Sequence, residues 1–466
     1  MTMPRSNGYS DVLRGSQILR LLTIGCLVLV LQIPIMVVSN LVSERQMRRQ
    51  EAVAEVSGKW GGSQIIAGPA LVVPYTVRWT EETSKGRTIT RTATHHAVFL
   101  PERLKVTGAV KSEIRRRGIY TIPVYRMDLA LEGEFARPDF GELAVQPAEI
   151  AWGKAQLAVG ISDVRAIQKQ ATAQWDGGPA PFRPGLGTFA DVSAGIHAPV
   201  VVRPDQGKVA FSFSLSLNGS MSAYFTPFGK STDVTIQSNY ADPSFQGAWL
   251  PTDRNVSSKG FTAHWSIPAL GRNYAQAWKA DAGMAQTVDA SKFGVDLVNP
   301  IDEYHMVDRS TKYASLFIVL TFGAIWLIEV LAGLRVHPIQ YLMLGAALCL
   351  FYLLELSLAE HMGFHTAYAI ASMAVVGMLG AHCVTVLQRI SRALAAAAGT
   401  VALYIYLYIL LTVEDYALLI GSVGLFAILG MVMYLTRRID WYGGGPDGRV
   451  PPIPPPPPPA PLSFDA

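Results

Sequence analysis

Residues 313–334 read YASLFIVLTFGAIWLIEVLAGL, twenty-two positions of which only Glu329 carries a charge. A helix needs about 20 mostly apolar residues to cross hydrocarbon about 30 Å thick, and this stretch has them. Four similar runs follow at once, at 339–358, 366–387, 393–413 and 416–435. A sixth run, 21–41, stands alone near the start, interrupted mainly by Gln32 and Pro34. The connections among the last five are short, so 313–435 reads as an antiparallel five-helix bundle and 21–41 as a single membrane helix. The small residues Ala52-Val53-Ala54 lie well past the first run, beyond Glu44, Arg45, Arg48 and Arg49. The run is also longer than a signal-peptide core of about 7–15 residues, so it is read as an uncleaved anchor.

Only 16% of the 466 residues are charged, against about a quarter in an ordinary soluble domain. The deficit lies in 313–435, whereas 45–312 has the polar groups and turns of globular sequence. A net charge of +4 without a dense basic patch excludes a nucleic-acid footprint. The three cysteines, Cys26, Cys349 and Cys383, all fall in apolar runs. The central region therefore holds together without disulfides, whatever compartment it faces.

Lys and Arg in short loops set orientation. With the N-terminus inside, the inner loops carry Arg335, Arg389, Arg392, Arg437 and Arg438, while the outer loops carry Glu360, Glu414 and Asp415. The first helix alone is a tie, with Arg14 and Arg20 before it and Arg45, Arg48 and Arg49 after it. The reading is a cytoplasmic N-terminus at 1–20, a large outer domain at 42–312, and a cytoplasmic tail at 436–466. Pro451 to Pro461 is proline except at Ile453 and Ala460, which favours an extended rod that cannot pack a core.

The outer domain reads as mostly antiparallel β. Phe211-Ser212-Phe213-Ser214-Leu215-Ser216-Leu217 alternates strictly, the period of a half-buried strand. Asn218-Gly219 after it reads as a turn. Similar runs lie at 70–79, 119–131 and 155–161, punctuated by Gly68-Pro69, Gly177-Gly178-Pro179 and the Pro/Gly-rich 181–187. One sandwich and two remain equally open. Residues 44–56 are charged and helix-friendly, so the first helix is expected to continue a few turns beyond the bilayer. The fold class is thus an α+β membrane protein with one plus five helices around a large extracytoplasmic β domain.

No nucleotide loop, HExxH or nucleophile elbow is present, and no catalytic residue, metal site or cofactor is read from the chain. Glu329 is the first candidate site. A carboxylate in a span is costly and is often a proton or ion relay; the plainer reading is a residue that sits near headgroups or pairs with Arg335. The second candidate is Glu360, His361 and His365, with Glu355 before them and Glu414 and Asp415 in another outer loop. His361 and His365 would share a face on a continuous helix, a start toward zinc ligation; the plainer reading is a polar loop touching the domain. His95-His96 adds nothing specific, and His337-Pro338 reads as a helix start.

Several ordered motifs resemble the CreD (also called Cet) inner-membrane proteins of bacteria. They include Phe225-Thr226-Pro227-Phe228-Gly229, Pro243-Ser244-Phe245, Gly260-Phe261, Trp265 and Asn299-Pro300-Ile301-Asp302. The series continues through Lys312-Tyr313 to Glu329, then His337-Pro338-Ile339-Gln340-Tyr341, Leu350-Phe351-Tyr352 and Glu360-His361-x-Gly363-Phe364. Upstream, Gly68-Pro69-Ala70-Leu71 and Arg116-Arg117-Gly118-Ile119-Tyr120 fit as well. The resemblance covers roughly 15–440. It implies a periplasmic domain, two-component control, and a part in envelope integrity and colicin tolerance; it supplies no reaction and no catalytic residues. Glu355 stands where the family pattern would have an apolar residue, and the proline tail has no counterpart.

The expected function is a non-enzymatic envelope protein that meets envelope or periplasmic protein partners through its outer domain, with the bilayer as its other partner. The alternative is a small ion- or proton-coupled transporter or channel using Glu329. A membrane enzyme built on the outer His and Glu residues is third.

Overall fold

The structure is a computed structural model and describes residues 17–82, 88–187, 194–297, 303–332, 334, 336–413 and 415–437. The proline-rich stretch, Asn299 to Asp302, Arg335, Glu414 and Arg438 lie outside the described residues.

The first helix, α1 (Gln17–Trp60), runs unbroken for 44 residues. At 1.5 Å per residue it continues about 29 Å past position 41. Good helix formers fill that extension, and the pairs Glu44–Arg48 (2.5 Å) and Glu55–Lys59 (2.8 Å) span one turn each. Gly61, at φ +141°, stops it. Next come a short α2 (Ala285–Ala290) and an amphipathic α3 (Glu303–Lys312). Five apolar helices follow: α4 (Ala314–Ala332), α5 (Pro338–Met362), α6 (Phe364–Leu387), α7 (Ile390–Thr412) and α8 (Ala417–Thr436). With α1 they make six helices, among the described residues, long and apolar enough to cross a membrane.

Two compact units share these helices. One takes in the described residues of 1–32, 309–351 and 372–466; the other takes in those of 33–308 and 352–371. In the first, α4 packs on α7 and α7 on α8. Arg309 donates to the carbonyls of Leu410 and Leu411 at 3.1 and 3.2 Å, capping the end of α7 with a cation where the helix dipole favours one. Gly345 lets α5 approach α1 closely, since a Cβ there would strike the Leu31 side chain.

In the second unit the sequence between the membrane helices forms two sheets. The first runs Ser244–Gly247, Phe293–Asp296, Ser222–Phe225, Gln64–Glu82, Ala155–Ile161, Gly195–Val200, Arg183–Pro184, with Thr88–Phe99 and Ala277–Lys279 continuing from the outer half of Gln64–Glu82. The second runs Asp253–Ser257, Gly260–Pro268, Ser231–Ser238, Arg103–Arg117, Tyr120–Ala136, Lys208–Ser220, Thr172–Trp175, Gly178–Pro181. Two pairings are parallel, Ser231–Ser238 on Arg103–Arg117 and Ser222–Phe225 on Gln64–Glu82; the others are antiparallel. Side chains of both sheets join one core cluster, from Leu71, Val73 and Leu157 to Phe135, Leu215 and Trp265. The domain is therefore one sandwich.

Its strands obey the period-two rule. Val209, Phe211, Phe213, Leu215 and Leu217 are buried while Ser212 and Ser214 are exposed. The expected turn at Asn218-Gly219 is corrected: the strand runs through both to Ser220, paired with Arg126 and Tyr125. Gly219 is needed for close approach, because a Cβ there would collide with the Tyr125 ring. The reversal falls at Met221, at φ +66°, where the chain passes from one sheet to the other. Gly177 does make a tight turn, with Asp176 and Gly177 both at positive φ (49° and 78°), as a two-residue hairpin requires.

The far part of α1 packs on this sandwich. Ala52, Val53, Val56 and Trp60 lie against Tyr120, Ile122 and Val124. The Trp60 indole donates to the Tyr125 carbonyl at 3.2 Å, with the Arg115 guanidinium 4.4 Å from its ring centre.

Trp265→Ala should destabilise the full chain in detergent by about 3–5 kcal/mol, since it empties the largest fully buried side chain. Ser214→Ala on the solvent face should stay within about 0.5 kcal/mol. Thermal unfolding followed by near-UV circular dichroism checks both.

Candidate functional site

Glu329 sits one turn before the end of α4, and its side chain is 4% exposed. Three donors surround the carboxylate. Arg20, in the first turn of α1, reaches Oε1 at 2.8 Å. The Val336 backbone N–H reaches the same oxygen at 3.1 Å. The Tyr341 hydroxyl, in the first turn of α5, donates to Oε2 at 2.9 Å. Phe322 meets the Tyr341 ring edge-on at 5.4 Å and holds it in place. Two helices and the junction after α4 thus converge on one acceptor through charge-assisted bonds, the stronger kind. Chemically this is a clamp. Oε1 accepts two bonds and Oε2 accepts one, so most of the carboxylate's acceptor capacity is taken up within the protein. The sequence offered headgroups or Arg335 as the neighbour of Glu329, and Arg335 lies outside the described residues; the partner in the structure is Arg20, 309 positions away.

Glu360 belongs to the other unit, on the last turn of α5. Tyr304 donates to its Oε1 at 3.1 Å, and Arg45 lies 3.7 Å from the same oxygen. Tyr120 extends the group: its hydroxyl reaches the Arg45 carbonyl at 3.5 Å, and its ring lies 6.5 Å from that of Tyr304. Burial, and then the Glu360 charge, push the Tyr304 phenol well above its ordinary range, so it remains a donor. Arg49, Ile119, Tyr304, Glu360, His361 and Gly363 border a cavity of about 170 Å³. His361 is exposed, with Nδ1 3.1 Å from the Ser357 carbonyl. His365 lies on α6, because Gly363 at φ +78° breaks the helix between the two imidazoles. They therefore do not share one helical face. Glu355 is fully buried on α5, and Asp415 is exposed before α8. Among the described residues no three His, Cys, Asp or Glu side chains are grouped to hold a metal.

Two further features escaped the sequence reading. Arg272 is 8% exposed and donates to the carbonyls of Pro227 and Phe228 at 3.1 and 2.9 Å. Tyr274 donates to the same Pro227 carbonyl at 3.1 Å. The Phe225-to-Gly229 motif is thus a turn tied down by a buried cation, whose proton burial makes easier to lose. Arg20 is the other: it entered the sequence reading only as a loop charge. A cation just before an apolar run that holds a lone carboxylate elsewhere was the available signal. His95-His96 lies in the strand Thr88–Phe99, with Tyr75 stacked on His95 at 5.7 Å. Burial, and then His95, lower the His96 imidazole below its ordinary value.

Six membrane helices, one before and five after a two-sheet domain, define a multi-pass membrane protein with a single large inserted domain. Residues 16–442 match the family model described as Inner membrane protein CreD. The chain is also 34% identical over 420 residues to Inner membrane protein CreD of Escherichia coli (strain K12), across 89% of this chain and 91% of that protein. It belongs to the CreD family of inner membrane proteins.

Glu329→Ala should cost about 2–4 kcal/mol in detergent unfolding, because it strands a guanidinium and leaves Tyr341 and Val336 without their acceptor. Adding Arg20→Ala should recover part of the loss, with a coupling of roughly 1–3 kcal/mol in the double-mutant cycle. The His96 shift gives a pH expectation. A base whose folded pKa is lowered binds more protons when unfolded, so stability falls as pH drops below about 6.5. Unfolding temperatures measured at pH 7 and pH 5.5 should therefore fall less in His96→Gln than in the parent.

Proposed function

We propose that this CreD-family protein is a non-enzymatic scaffold of the cell envelope. It contributes to envelope integrity and colicin tolerance by presenting its sandwich to envelope components. In this reading the sandwich is periplasmic and both termini are cytoplasmic, as the loop charges Arg389, Arg392 and Arg437 against Glu360 and Asp415 favour.

The observation that carries the reading is the joint between anchor and domain. The far part of α1 is itself a layer of the domain's packing, through Ala52, Val56 and Trp60, and Arg117 grips Glu55 at 3.0 Å. Such packing makes residues 52–60 of α1 part of the sandwich's own fold. The outward face of the second sheet is polar across Thr107, Ser212 and Ser214, framed by Lys105–Glu132 and Lys208–Glu134 at 2.8 and 2.9 Å. The polar side chains at Glu329 and Glu360 spend themselves on helix-to-helix and helix-to-sheet contacts. That use argues for a scaffold over an enzyme. It also weighs against the transporter alternative, because both oxygens of Glu329 already accept bonds.

Photo-crosslinkers at Thr107 and Ser212 in intact cells should trap envelope components, whereas one at the buried Leu215 should not. A chain whose sandwich is deleted, yet which still restores the envelope phenotype, would sink the proposal. Glu329→Gln keeps one carbonyl oxygen for Arg20 and Val336 and turns an NH2 donor toward the Tyr341 hydroxyl, which can accept it, and it should complement fully. Loss of complementation with unchanged thermal stability would instead favour the proton relay.

A further inference from the structure

Beside the Glu329 clamp lies an open cleft of about 470 Å³, bordered by α1 and the α4–α5 junction. Its volume falls within the range of small-molecule sites, about 300–1,000 Å³. One wall is apolar: Leu19, Ile24 and Leu27 follow one another along α1, with Pro338 opposite. From Leu19 to Leu27 the wall climbs about 12 Å, at 1.5 Å per residue. The cleft therefore begins at the helix ends and reaches about two turns into the apolar spans.

Its polar groups sit at the shallow end. Arg20 spends Nη1 on Glu329 and is 28% exposed. Its Nη2 and Nε have no partner among the described residues. His337 is exposed, and the Ile339 N–H donates to its Nδ1 at 3.3 Å. With Nδ1 accepting, the ring proton is on Nε2. The cleft thus offers a guanidinium edge and an imidazole N–H at its mouth. The carboxylate is 4% exposed and already surrounded, so the reachable charge is positive only.

We propose that this cleft is a binding site for an anionic glycerophospholipid. Arg20 and His337 take the phosphate, and Leu19, Ile24 and Leu27 take the upper acyl chain. Charge and position together select this occupant. The open side of a cleft among membrane spans faces lipid, and basic pockets between membrane helices hold acidic headgroups. A zwitterionic headgroup would bring an ammonium with no exposed carboxylate to meet it. The lipid bridges α1 and the start of α5 beside the Glu329 clamp.

Native mass spectrometry of the purified full chain in detergent tests this with phosphatidylglycerol, phosphatidylethanolamine and inorganic phosphate as probes. Phosphatidylglycerol should bind about fivefold tighter than phosphatidylethanolamine, the worth of one cation near a headgroup. Ile24→Trp fills the apolar half without touching the ion pair and should abolish the preference. Leu27→Phe serves if that variant does not fold. His337→Ala should weaken phosphatidylglycerol about fivefold, the worth of one hydrogen bond. Equal retention of the two lipids, or retention unchanged by Ile24→Trp and Leu27→Phe, overturns the proposal. Displacement of the lipid by millimolar inorganic phosphate overturns it too, since the site would then be one for a free anion.

Discussion

A carboxylate inside an apolar helix has to find donors, because hydrocarbon offers none. Glu329 finds three, and they come from α1, the α4–α5 junction and α5. That one requirement accounts for much of the membrane unit. It fixes which part of α1 lies beside α4 and α5, and it holds the junction after α4 in place. The bonds from Ser315 to Gln32 and the close passage of Leu31 at Gly345 extend the same contact along α1. A polar minority thus sets the register, while apolar packing fills the space between.

The sandwich solves a different problem. It has no disulfide, since its residues include no cysteine, and it closes by burying one face of each sheet in a single core. Where packing alone would leave polar backbone unmet, buried and half-buried side chains serve it. Arg272 and Tyr274 satisfy the carbonyls of Pro227 and Phe228, and Gln276 does so for Leu100 and Pro101 at 3.0 and 2.8 Å. An orphan buried carbonyl costs about 1–3 kcal/mol, so these few side chains matter more than their number suggests.

Helix α1 joins the two problems in one element. Over 21–41 it has the composition of a span. Beyond that, the spacing of Ala52, Val56 and Trp60 offers a stripe to a sheet, while Glu55 and Lys59 stay wet. The helix backbone runs unbroken from Gln17 to Trp60, through both compositions.

The sequence by itself determined the six spans, the β character of the insert, the extension of α1 and the family. Each is a local property: run length, alternation of two, helix propensity and ordered motifs are all written in neighbouring residues. The strand at 211–217 was legible for that reason. Its end was misread because Asn218-Gly219 is turn chemistry locally, and only the Tyr125 ring lying over Gly219 shows why the strand continues. Glu329 and Glu360 were legible as unusual residues, but their partners were not. Arg20 lies 309 positions from Glu329, and Tyr304 lies 56 from Glu360. Pairings at that range depend on how helices and sheets come together, so the tertiary structure alone decided them. The same holds for the single sandwich, for the break between His361 and His365, and for the cleft at Arg20. Each exists only where distant segments meet.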